Sequence, residues 1–169
     1  MSARKNTAVV VVDMQERFLS MLDKLTRRQL VHNHLEVLDY CRENDVPVVG
    51  IRHDIVAFGK EYVYAIENKI AEVSRNRYFW KDKNDGFSNL KLQEYLSSLG
   101  IERLCLMGVF ASRCVISTGQ GALNNGFKIA TSRDLITDSN YSQALLASFD
   151  WFNANGTLFD RYQDMLRTL

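Results

Sequence analysis

Apolar and polar positions follow two rhythms along this chain, and the switches between them mark out the elements. Residues Thr7–Val12 read Thr-Ala-Val-Val-Val-Val, a continuous β-branched run bounded by polar residues. That is the pattern of a strand buried on both faces, and such strands are usually parallel. The rhythm then changes to steps of three and four: Leu30, Val31, Leu35, Leu38 and Cys41 predict a helix over 26–44, with Thr26 as its N-cap. Residues 47–51 form a second strand, 54–74 carry a helical pattern with no defined place, and 77–80 form a short third strand. A helix over 88–99 ending at Gly100, a strand over 103–107 and a helix over 113–125 follow. A strand over 127–131, a helix over 141–153, a last strand over 156–159 and a terminal helix complete the series. Strands alternating with helices predict right-handed crossovers and an α/β fold: a three-layer αβα, Rossmann-like arrangement around a mostly parallel, six-stranded sheet.

Composition narrows the picture. With 169 residues, 46% of them apolar, and no shift in composition, the chain is expected to form one domain over 1–169. A formal charge of +1 without a basic run lacks the electrostatic footprint of a nucleic-acid binder, which leaves a small molecule as the expected partner. The opening six residues are polar and too few for a signal peptide or a membrane span, so a cytoplasmic protein without membrane contact is expected. Cys41, Cys105 and Cys114 are odd in number and lack metal-type spacing, which argues against a disulfide framework and a zinc cage. His32 and His34 lie two apart on a predicted helix and so diverge; no metal site and no cofactor are expected.

Chemistry concentrates where strand patterns end. Cys114 stands in Gly108-Val109-Phe110-Ala111-Ser112-Arg113-Cys114-Val115, where a strand gives way to a helix. A helix N-terminus presents free N–H groups and partial positive charge, which favour a thiolate and an oxyanion. Asp13 ends another apolar run and Lys81 a third. If the three strands lie side by side, an acid, a cation and a thiol meet at one sheet edge. Asp13 would then take the thiol proton, Lys81 would balance the charges, and the backbone N–H groups of Phe110 and Cys114 would hold the oxyanion. Gln15, Phe18, Trp80 and Phe110 are expected to shape the substrate mouth, although each aromatic suits core packing equally well. Arg113 and His53 have surface roles as their simpler reading, and Asp85 that of a loop residue.

These residues resemble the isochorismatase-like cysteine hydrolases, the superfamily of nicotinamidases, N-carbamoylsarcosine amidases and isochorismatases. Asp13-Met14-Gln15-Glu16-Arg17-Phe18 is similar to the family's Asp-x-Gln-x-x-Phe opening, and residues 81–87 resemble its Lys-x-x-x-Ser-Ala-Phe segment, with Lys81 as the active-site lysine. Gly108-Val109 with Cys114 six residues after the glycine matches the nucleophile motif. The resemblance implies strand order 3-2-1-4-5-6, a cis Val109–Phe110 peptide, a homo-oligomer such as a dimer or tetramer, and hydrolysis of a small amide through a Cys-Asp-Lys triad and a thioester. Two departures stand out. Phe110-Ala111 resembles true isochorismatases, which lack the cysteine, so vinyl-ether hydrolysis using Asp13 without the thiol is the alternative chemistry. Arg52-His53-Asp54 lacks the metal-binding spacing of nicotinamidases. A third alternative is a non-catalytic, redox-responsive binding protein that uses Cys114 as a sensor.

Overall fold

The computed structural model describes residues 6–53, 65–139 and 142–169. Strand β1 (Thr7–Val12) is buried along its whole length and pairs in parallel with β2 (Val48–His53) on one side and β4 (Arg103–Val109) on the other. β3 (Tyr78–Lys81) flanks β2, and β5 (Lys128–Ser132) flanks β4. β7 (Thr157–Phe159) closes the order β3-β2-β1-β4-β5-β7. This is the expected order, with the expected sixth strand appearing as β7. The difference is an extra two-residue strand, β6 (Ile136–Thr137), which pairs with the end of β4 and makes the sheet seven-stranded among the described residues. Two residues are too few to produce a period, so the hydrophobic pattern cannot announce β6.

Alternation along β1 divides the core in two. Ala8, Val10 and Val12 pack with Leu92 and Leu96 of α4 (Leu90–Ser98), Ala122 of α5 (Ile116–Asn124) and Phe149 and Phe152 of α6 (Gln143–Asn155). Val9 and Val11 pack with Val37, Leu38 and Cys41 of α2 (Lys24–Glu43), Ile66 and Ile70 of α3 (Ala65–Val73) and Met165 of α7 (Tyr162–Leu166). Helices thus cover both faces of the sheet, and the fold is the expected three-layer α/β type. A short helix α1 (Glu16–Leu19) follows β1 directly.

Strand and helix ends shift by a residue or two in several places, and three helix starts differ for local reasons. Helix α2 begins at Lys24 and is capped by Asp23, whose Oδ1 accepts from the N–H groups of Leu25 and Thr26 at 3.0 Å each. Thr26 is therefore inside the first turn and receives the cap. The helix expected over 88–99 is a 3₁₀ turn, Gly86–Ser88, followed by α4, because Asn89 recaps the chain by accepting from Lys91 N–H. The helix expected from residue 113 starts as a π-type turn, Ala111–Val115, before α5. Of the segment expected to be helical over 54–74, α3 lies in the described part and 54–64 lie outside it, as does Tyr141 at the start of the helix expected over 141–153.

Candidate active site

Strand register brings the three sequence-distant groups to one edge. Val12 is level with Ile51 and with Gly108, and His53 is level with Lys81, so Asp13, Lys81 and the 108–115 segment all leave the carboxyl ends of parallel strands together. In open α/β sheets that edge is where ligands bind. Gly108 makes the approach possible: at φ +138°, a Cβ there would stand 2.0 Å from the Val12 carbonyl oxygen. Only glycine lets the strand that leads to Cys114 pass so close to the end of β1.

Asp13 adopts φ +52°, in the left-handed region, with its N–H donating to the Ile51 carbonyl at 3.0 Å. Asp is one of the few residues that tolerate this conformation, and such outliers cluster at functional sites. Its carboxylate, 1% exposed, lies 3.0 Å from Lys81 Nζ, whose side chain is also sealed from solvent. Lys81 donates a second bond to the Asn84 carbonyl at 2.8 Å. The Cys114 thiol is buried, 3.7 Å from Asn84 Oδ1, and interacts with both Asp13 and Lys81. Burial pushes the thiol up to about 12, and the Asp13 carboxylate adds to that by charge and hydrogen bonding, while Lys81 opposes it. Burial thus favours the protonated thiol, the reverse of the thiolate expected from a helix N-terminus. Cys114 lies before α5, inside the π-type turn.

The turn that carries Cys114 is tied back to Phe110. The Phe110 carbonyl accepts from the N–H groups of Arg113 at 3.1 Å and Val115 at 3.2 Å, skipping that of Cys114. The Val109–Phe110 peptide is cis, as the resemblance implied.

The expected mouth residues divide. Phe18 and Phe110 meet edge to face, with centroids 5.8 Å apart at 86°, and Phe18 also meets the His53 ring at 6.3 Å. They form an aromatic wall at the sheet edge. Gln15 spans to β2: its Oε1 accepts from His53 N–H at 2.9 Å and its Nε2 donates to the His53 carbonyl at 3.4 Å. Trp80 is 51% exposed, and strand alternation sends its side chain to the face opposite that of Lys81. The Arg52 guanidinium lies 5.0 Å from its ring centroid. Trp80, Lys81, Ser88, Asn89 and Leu90 border an open cleft of about 470 Å³. Arg113 is exposed.

Two residues that sequence reasoning did not single out belong to this region. Asn84 touches both the lysine and the sulfur, and its position inside the 81–87 segment was the available signal. Asp138 bonds to Ser112 in the turn that carries Cys114, and no local pattern marks it. Asp85 takes a structural part: its Oδ1 accepts from Phe87 N–H at 2.8 Å, with burial raising its carboxyl above the usual range. His34 is fully buried with Nε2 on the Leu135 carbonyl at 2.9 Å. Among the described residues, no group of three His, Cys, Asp or Glu is placed to hold a metal, and no helix is long and apolar enough to cross a membrane.

Comparison with known proteins yields the same fold and family. A nicotinamidase of Staphylococcus aureus superposes with a TM-score of 0.80 at 17% identity, covering 95% of this chain and 99% of that one. An octameric hydrolase of unknown specificity from Escherichia coli superposes with a TM-score of 0.82 at 18% identity, over 99% of this chain and 81% of that one. In sequence, Nicotinamidase 3 of Arabidopsis thaliana is 26% identical over 80% of this chain and 75% of its own length. Streptothricin hydrolase of Streptomyces noursei is 24% identical over 75% of this chain and 52% of its own length. The isochorismatase domain model matches residues 7–159, and the chain belongs to the isochorismatase family.

Proposed function

We propose that this protein hydrolyses the C–N bond of a small amide, with Cys114 as nucleophile, Asp13 as proton carrier and Lys81 as the balancing charge. The observation that carries this reading is the sealed Asp13–Lys81 pair, 3.0 Å apart, against the Cys114 thiol. An acid–cation pair in a buried pocket needs a reason to be there, and beside a thiol it supplies both the base and the charge that acyl transfer needs. Similarity to a nicotinamidase and to streptothricin hydrolase favours an amide-type substrate.

In the first half of the reaction Cys114 Sγ bonds to the carbonyl carbon as its proton passes to Asp13. The oxyanion rests on the N–H groups of Phe110 and Cys114, each such donor contributing about 3 kcal/mol to the transition state. Collapse breaks the C–N bond, and the leaving amine takes the proton from Asp13. In the second half Asp13 removes a proton from water, the hydroxide adds to the thioester, and the C–S bond breaks. The acid departs and the sulfur recovers its proton from Asp13. The aromatic wall of Phe18 and Phe110 faces a small planar acyl group in this scheme, and no cofactor takes part. The scheme treats residues 1–169 as one catalytic domain of a cytoplasmic homo-oligomer.

The test is turnover of a panel of small amides and carbamoyl compounds, with mass spectrometry on the quenched protein. The expected result is a Cys114 acyl adduct in the active protein and no turnover by Cys114→Ala. Phe110-Ala111 favours one second reading, vinyl-ether hydrolysis in which Asp13 protonates the substrate. Under that chemistry Cys114→Ala keeps its activity and Asp13→Asn loses it.

A further inference from the structure

The nucleophile turn has an unusual problem at its start. Residues Ala111–Val115 form a π-type turn whose N-cap position is Phe110, and Phe110 offers no side chain to cap it. The first N–H groups of any helical segment lack partners within it and need acceptors from outside. Here the acceptor arrives from the end of the neighbouring strand, β6. Asp138 Oδ1 accepts from Ser112 N–H at 3.2 Å and from Ser112 Oγ at 3.1 Å.

The carboxylate itself is well anchored. Asp138 is 7% exposed and directly follows β6, which pairs Gly108 with Ile136 and Val109 with Thr137. The strand that delivers Cys114 and the strand that delivers Asp138 are thus bonded to each other at the point where both enter the site. Among the described residues Asp138 Oδ2 has no hydrogen-bond partner, and the carboxylate's bonds there are the two from Ser112. Burying a carboxylate is costly, and an ordinary cap on the surface would avoid that cost.

We propose that Asp138 is a positioning residue: by holding Ser112 through two bonds it fixes the turn so that the N–H groups of Phe110 and Cys114 point at the developing oxyanion. This rests on the amide-hydrolase reading of the same site. Oxyanion donors act only when aimed, and displacements of an ångström cost about a hundredfold in rate. Acceptance of the bonds, more than negative charge, is what the geometry requires, so an amide oxygen at 138 serves the same purpose.

The experiment follows stoichiometric acylation of the full-length protein by p-nitrophenyl acetate, read as the burst of p-nitrophenolate, with Cys114→Ala as the control that assigns the burst. Asp138→Ala is expected to slow the burst by about tenfold or more while leaving the concentration for half-maximal rate within about threefold. Ser112→Ala, which keeps its N–H, falls between, and Asp138→Asn recovers most of the wild-type rate. Thermal unfolding of each variant accompanies the rates, and a merely structural role would make rate follow stability and deny rescue by Asn. The proposal is overturned if Asp138→Ala is acylated as fast as the wild type, or if Asp138→Asn is as slow as Asp138→Ala. A wild-type protein with no burst at Cys114 sinks the hydrolase reading together with this one, and that result differs from either of the others.

Discussion

Lys81 Nζ lies 3.0 Å from Asp13 Oδ2 with both side chains closed off from solvent, so the two opposite charges of the site stabilise each other before any substrate enters. The pair is local to the sheet edge, since Asp13 follows β1 and Lys81 ends β3, with β2 between them. Among the described residues neither charge has a second ion-pair partner, and Lys81 also donates to a backbone carbonyl.

Lys81→Met therefore leaves a buried carboxylate uncompensated. Removing one member of a buried pair typically costs about 3–5 kcal/mol. Denaturant unfolding is expected to show a loss of that order, with the Asp13→Asn/Lys81→Met double variant more stable than Lys81→Met alone. Equal stability of the single and double variants would show that the two side chains are not coupled.

Gly108→Ala tests the close passage of β4 past β1. The added Cβ would have to occupy space 2.0 Å from Val12 O, at a φ of +138° that side chains avoid. Relief requires the strand ends to separate, which moves Cys114 away from Asp13. The expected outcome is loss of stability by about 2 kcal/mol or more, together with loss of Cys114 acylation. A variant with wild-type unfolding and acylation would mean that this contact is easily relaxed.

The strand ends were legible because parallel strands advertise themselves locally. A run such as Thr7–Val12 cannot be anything but buried, and the first polar residue after it falls at the edge where chemistry gathers. Lys81 and the Gly108–Cys114 segment follow the same logic. Asp138 was not legible, because its importance depends on β6, a two-residue strand defined by its pairing with β4. Asp23 displaced Thr26 as the cap of α2 because two backbone N–H groups were within reach of its carboxylate. The π-type turn was hidden for a related reason: helical periodicity does not distinguish an i→i+5 bond from Val115 to Phe110 from an ordinary first turn.

His34 supplies an acid-sensitive element away from the site. Burial holds its imidazole down to about 4 from 6.5, partly offset by its bond to the Leu135 carbonyl. A folded value below the unfolded one means that the unfolded chain takes up a proton first as pH falls. The contribution is full above pH 6.5 and disappears as pH drops through 4, amounting to about 3 kcal/mol. Urea unfolding from pH 7 to pH 4 is expected to show a steeper decline for the wild type than for His34→Gln, which keeps a donor for Leu135. Parallel pH profiles would remove His34 from the account.

Cys114 offers the sharpest test of how the site is poised, because Asp13→Asn should move its reactivity and turnover in opposite directions. With the thiol held up to about 12, alkylation by iodoacetamide is expected to climb steadily from pH 7 to 10 with no plateau near 9. The Asp13 carboxylate raises the thiol and Lys81 lowers it. Asp13→Asn removes the raising charge and leaves the lysine, so it should speed alkylation at pH 8, yet it also removes the proton carrier and should abolish amide turnover. Lys81→Met should slow alkylation at the same pH. Mass spectrometry after a timed iodoacetamide pulse measures each rate at Cys114 itself, free of Cys41 and Cys105. If Asp13→Asn alkylates more slowly than the wild type, the carboxylate is activating the sulfur at rest, and the proton must leave Cys114 before the substrate binds.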